Sequence, residues 1–227
     1  MSALRPKSLE CPSCGAPVGF QAPFCPYCRA EIAWGNTVPL ERGARLRACD
    51  ATREDLPVHD GIPIRGAGRN QEGTLIKLEQ NKAFDDQFPV SLCDACIAVV
   101  ARVDDKNGSV GVVARIHDLG KSTGGYDLMI HPAYRSFRLS RVVLCKERAF
   151  REVIRSWEVA PCIGGVGVWN QVELRCADSL FEIVVNGQRV CTLTDARFGY
   201  GRFGWRVHGR EGPTSAVIRS VELFRVS

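Results

Sequence analysis

The sequence predicts an all-β protein, an antiparallel sandwich preceded by a small metal-dependent module. Three observations predict it. Short apolar runs rich in Val and Ile recur from residue 73 onward, each bounded by Gly, Asn, Asp or Pro, which is strand-and-turn punctuation. No long stretch repeats its apolar residues at helical spacing. Near the start stand two C-x-x-C pairs, among too few large apolar residues to make a core of their own.

The pairs lie in CPSCGAPVGFQAPFCPYC, residues 11–28. Two residues between cysteines let a tight turn aim both sulfurs at one point. Two such turns facing each other build a tetrahedral thiolate site, with Zn–S distances of about 2.3 Å. Gly15 suits a positive φ after the first pair, and Pro12 and Pro26 stiffen the turns. The segment resembles the zinc-ribbon family, which implies zinc held by Cys11, Cys14, Cys25 and Cys28 in a module of residues 9–32. A redox C-x-x-C pair would need a βαβ context, and none is written nearby. A DNA-reading finger needs a recognition helix, and the loop GAPVGFQAPF is too short and too rich in Pro and Gly. The expected role is a docking clip. Residues 33–46 read as a linker and 47–227 as the sandwich.

The strands are expected in order at GTLIKLEQ, ACIAVVARV, SVGVVARI, YDLMIHP, SFRLSRVVL, WNQVELRCA, LFEIVVNGQRVCTL, GRFGWRV and SAVIRSVELFRV. Asn186-Gly187 between two β-branched runs predicts a two-residue primed hairpin. KERAFREVIRSW reads as one helical turn or a further strand. Cys93-Asp-Ala-Cys96 repeats the C-x-x-C spacing but leads into a strand, where positions i and i+3 point to opposite faces. Cys49, Cys145, Cys162, Cys176 and Cys191 stand alone and read as small core residues.

From GVGVWNQVELRC to the end, the chain resembles the closing half of concanavalin A-like lectin/glucanase (laminin G-like) jelly rolls. The motifs are Trp169-Asn170 before a strand, a strand ending at Asn186-Gly187, Asp195, and a Gly-x-x-Gly strand from Gly201. The resemblance implies an antiparallel jelly-roll β-sandwich. Members of that fold include glucanases, sugar binders and protein binders, so activity must be argued from residues.

Retaining glycosidases need two carboxylates about 5–5.5 Å apart. The resemblance would place them on one strand as Glu-x-Asp-x-(x)-Glu, which does not occur. Glu173 and Glu182 fall on separate strands and read as solvent-facing charges. The histidines neighbour turn residues and read as surface groups, and DDKNG at 104–108 reads as a hairpin turn before it reads as a calcium loop. No catalysis is expected.

Strand parity names a candidate surface. With Ile97, Val99, Ala101 and Val103 inward, Arg102 faces out. With Val112, Ala114 and Ile116 inward, Arg115 and His117 face out. With Phe137 and Leu139 inward, Arg138 faces out, and Asp127 and His131 fall near. Guanidinium forks on one face would suit carboxylate, phosphate or sugar hydroxyls. The rival stretch ARFGYGRFGWRVHGR interleaves arginines with aromatics, as single-strand nucleic-acid platforms do, but its alternate aromatics read as core.

A net charge of +5 is too mild to imply nucleic acid. The first residues show no apolar signal core, and eleven cysteines then read as reduced thiols and metal ligands. The expectation is a cytoplasmic, non-catalytic recognition or scaffold protein, docking through zinc and binding a protein or glycan on its sandwich. The alternatives are a glycan-processing hydrolase and, after it, a nucleic-acid binder.

Overall fold

The computed structural model describes Tyr27, 42–50, 67–70, 72–118, 122–145 and 149–226. Cys11, Cys14, Cys25 and Cys28, with their expected zinc, lie outside the described residues, as does His59. In chain order the strands are β1 (Arg42–Asp50), β2 (Ala67–Asn70), β3 (Gly73–Leu78), β4 (Ala83–Leu92), β5 (Ala95–Val103), β6 (Gly108–Asp118) and β7 (Ser122–His131). A 3-10 turn, Pro132–Tyr134, leads to β8 (Ser136–Cys145), β9 (Ala149–Val159), β10 (Asn170–Ala177), β11 (Leu180–Val185), β12 (Gln188–Thr194), β13 (Gly201–Gly209) and β14 (Thr214–Val226).

These strands form two antiparallel sheets. The eight-stranded sheet runs β12-β11-β10-β5-β14-β3-β2, with β1 also on β14. The six-stranded sheet runs β4-β13-β6-β7-β8-β9. One edge of β14 is lined by β5. Its other edge is shared, with β3 beside Thr214–Ile218 and β1 beside Ser220–Val226. Residues 42–46, read as linker, therefore already belong to this sheet.

The core lies between the sheets and follows the expected parity. Ile97, Val99, Ala101 and Val103 from β5 meet Val110, Val112 and Ala114 from β6, with Phe137 and Leu139 from β8. Each such fully buried Val, Leu, Ile or Phe contributes about 1.5–3 kcal/mol. On its other face β5 packs Cys96 and Ala98 under Phe224. Burial on both faces explains why ACIAVVARV is an unbroken apolar run. The β11–β12 hairpin turns at Asn186 and Gly187 with φ of 50° and 78°, as a primed turn requires.

AFREVIRSWEV takes the second of its two readings, an edge strand, β9, and not a helical turn. β4 carried no strand signal because Asp85, Asp86 and Pro89 break the pattern; as an edge strand pairing only β13 it can tolerate a proline without a donor. Glu173 and Glu182 need correction. They face away from the core yet are 3% and 2% exposed, and Arg175 donates to both at 3.0 Å. Parity gives the face of a sheet, not what stands beside a residue on it.

Candidate functional site

The site grows from the alternation of four adjacent strands. On β7, Tyr126, Leu128 and Ile130 enter the core, which leaves Asp127, Met129 and His131 on the outer face. On β8, Phe137 and Leu139 enter, leaving Arg138 and Ser140. On β13, Phe203, Trp205 and Val207 enter, leaving Arg206 and His208. The register aligns these outer residues in rows. Met129 lies opposite Arg138 and Gly111, and Gly111 lies opposite Arg206. Asp127 lies opposite Ser140 and Val113. The β8–β9 pairing shifts register on either side of Leu139, where Trp157 of β9 comes over Arg138.

One carboxylate sits at the centre. Asp127 is 1% exposed and its Oδ2 accepts from Arg151 Nη2 at 2.9 Å, with Arg206 Nη1 at 3.4 Å. Arg206 reaches the other way to Asp85 Oδ1 at 3.2 Å. Arg138 has its guanidinium carbon 4.7 Å from the Trp157 ring centroid, and Arg210 approaches the same ring at 5.7 Å. His131 meets Trp157 edge-on at 5.8 Å and Tyr134 at 4.6 Å.

Charge on this face tilts positive, and the titrations follow. Burial lowers His208, and Arg151, Arg138 and Arg206 lower it further against Asp127. Burial also lowers His131, assisted by Arg210 and opposed by Glu211 and Asp105. Both imidazoles are therefore neutral at pH 7, each offering one donor and one acceptor. Burial, with the charges of Arg151 and Arg210, brings Arg138 down to about 10, Asp127 only partly opposing. Arg206 is buried too, but Asp127 and Asp85 outweigh burial and raise it.

Several buried polar atoms here have no hydrogen-bond partner among the described residues. They are Asp127 Oδ1, His131 Nδ1, Arg138 Nε, Ser140 Oγ, Trp157 Nε1 and Arg206 Nε. Leaving such an atom unsatisfied costs about 1–3 kcal/mol. Donors and acceptors mixed around an indole ring can bind a polyhydroxylated molecule, whose hydroxyls donate and accept and whose C–H faces cover a ring. Approach is open along β9, where Arg151 and Val153 are exposed and Trp157 is half-buried.

Of the six residues singled out from sequence, this face gathers Asp127, His131 and Arg138. The other three lie elsewhere. Arg102 is on β5, in the other sheet, where it grips Glu72 at 2.9 Å and Asp104 at 2.6 Å beside Trp169. Arg115 is fully buried, because β6 shifts register between Ala114 and His117 and Arg115 takes φ 52°. That bulge turns the side chain inward, where it donates to the carbonyls of Cys93 and Phe198 over the Phe181 ring. His117, past the same bulge, stacks on Tyr200 at 5.3 Å. The expected three-arginine face therefore does not exist.

The histidine expectation also needs correction. His131 is 1% exposed and His208 half-buried, both on strands. Sequence reasoning missed Arg206, His208, Arg151 and Ser140 around Asp127, and Trp157 over Arg138. The signal was present in GRFGWRVHG, since sending its aromatics inward puts Arg206 and His208 outward. Among the described residues no group of three or more His, Cys, Asp or Glu is placed to hold a metal ion. None of their helices is long and apolar enough to cross a membrane.

No protein-family model matches the chain, and no curated protein matches it. Solved structures do. The carbohydrate binding module CBM66 from Bacillus subtilis is similar at 17% identity and a TM-score of 0.56, over 71% of this chain and 92% of that one. A protein of unknown function with a galectin-like fold, also from Bacillus subtilis, is similar at 13% identity and a TM-score of 0.62, over 83% and 99%. The apo Crh5 transglycosylase is similar at 12% identity and 0.53, over 83% and 88%. The sandwich thus has a galectin-like jelly-roll fold, which a binding module and a transglycosylase also share.

Proposed function

We propose that the protein is a non-catalytic recognition protein that binds a glycan on the outer face of its six-stranded sheet. The observation that carries this reading is the gathering of unpartnered buried donors and acceptors around Trp157. The carbohydrate-binding module among the structural neighbours supports a glycan over a protein as the ligand. The carboxylates support binding over hydrolysis. The outward positions of β7 carry Asp127, Met129 and His131 in place of an acidic series, and Arg206 stands between Asp127 and Asp85. The N-terminal cysteines complete the proposal as a zinc clip, Cys11, Cys14, Cys25 and Cys28, that docks the chain to a partner in the cytoplasm.

Titration calorimetry of the full chain against an oligosaccharide panel tests the glycan reading. Trp157→Ala is expected to weaken binding at least tenfold, the loss of about 1.4 kcal/mol, with folding retained because β9 is an edge strand. Shortened or transferred oligosaccharides after incubation would replace this reading with a glycan-processing enzyme. Binding of single-stranded nucleic acid with a steep salt slope would replace it with a nucleic-acid binder.

A further inference from the structure

The cations of this face are not alike. Arg206 and Arg151 share Asp127, and Arg206 also holds Asp85. Arg138, 9% exposed, makes no hydrogen bond or ion pair among the described residues, and its guanidinium lies over the Trp157 ring. Its Nε is among the buried atoms without a partner. A cation taken out of water without an anion is costly unless something else supplies the countercharge. Burial and the charges of Arg151 and Arg210 lower its hold on its proton to about 10, which still leaves it charged near neutrality. A bidentate guanidinium fork beside an indole fits a planar or trigonal anion carried on a ring.

We propose that the bound glycan is an acidic one, bearing uronate carboxylates or sulfate esters, and that Arg138 is the residue that reads the anionic group while its ring lies against Trp157. This rests on the reading of the face as a glycan site and adds the ligand's charge. Asp127 argues for the location of the charge. Its carboxylate would repel an anion, yet it is already bonded by Arg151 and Arg206, so the anion is met at the Trp157 ring by Arg138, with Arg210 beside it. His131 and His208, both neutral, are left to bond hydroxyls.

The test uses the full chain with tetragalacturonate, a sulfated galactan tetrasaccharide and neutral galactotetraose, titrated calorimetrically at low and high salt. The acidic probes are expected to bind about tenfold or more tighter than the neutral one. Arg138→Gln should remove the preference, weakening the acidic probes about tenfold and the neutral one by much less. Arg138→Lys, which keeps the charge without the fork, should fall between. A preference between the two acidic probes distinguishes carboxylate from sulfate. As a second readout, the acidic probe should raise the Tm of the wild type and not of Arg138→Gln, which guards against a variant that binds poorly because it is misfolded. Equal affinity for neutral and acidic probes, or equal loss for both in Arg138→Gln, overturns the proposal while the glycan reading stands. Failure to bind any saccharide overturns both.

Discussion

Arg115 shows how one residue can be chemistry and architecture at once. Its guanidinium donates to Cys93 O at 2.8 and 3.0 Å and to Phe198 O at 3.1 Å, joining the β4–β5 turn to the segment before β13. Arg115→Ala is expected to destabilise the sandwich by about 3 kcal/mol, because the Cys93 and Phe198 carbonyls lose their donor and a cavity opens. Urea unfolding measures it, and an unchanged midpoint would place the side chain in solvent. The histidines give a second prediction at this scale. Both have folded values below the ordinary 6.5 of the unfolded chain, His131 chiefly through burial and Arg210, His208 chiefly through burial and Arg151. Between the folded and unfolded values the unfolded chain binds more protons, so stability rises with pH. Their contribution is therefore full above about pH 7 and is lost as the pH falls below the unfolded value of about 6.5, levelling off below the folded values. A His131→Gln, His208→Gln double variant should show a flatter Tm between pH 7.5 and 5 than the wild type. Equal slopes would mean that neither imidazole is held neutral by the fold.

At the scale of elements, alternation made β5 and β8 legible, down to the outward placing of Arg138, with Asp127 and His131 expected near it. It failed where an extra residue enters a strand. The bulge in β6 has no marker of its own in VVARIHD; its marker is on the neighbouring strand, at Gly201. Gly201 sits at φ 148°, and a Cβ there would come within 2.4 Å of the Arg115 carbonyl carbon. Gly201→Ala is expected to cost about 1–3 kcal/mol, through backbone strain and displacement of the bulge. Native-state hydrogen exchange should show the loss concentrated at the β6–β13 end near Arg115; uniform exchange across both sheets would mean that the bulge does not depend on this glycine. The edge strand β4 was illegible, and β9 ambiguous between strand and helical turn, for a different reason. Each has one paired side, so charge and proline are tolerated and the apolar pattern that betrays a strand is diluted. The site lies between those two edges, which is why Trp157 and Asp85 were not read as part of it.

For the whole molecule, the fold class was legible because every level of the sequence agreed: short runs, turn residues and the Asn186-Gly187 hairpin. The zinc ribbon rests on spacing alone, and its prediction belongs at this scale. Protein purified without chelator should carry one zinc per chain by elemental analysis. Cys25→Ser should release it and leave the sandwich's melting transition in place, since a separate metal-built core does not share stability with a hydrophobic one. Loss of the sandwich transition together with the zinc would make the two a single unit.

β14 lies between β5 on one side and β1 with β3 on the other. During translation that central strand is the last of these four to be made. Until it arrives, β1 and β3 cannot be joined to β5, and the growing chain carries open strand edges with nothing to close them. The eight-stranded sheet cannot therefore be completed from its N-terminus as the chain emerges. Its closure waits for β14, and the strand edges left open until then are where an incomplete chain would pair with another.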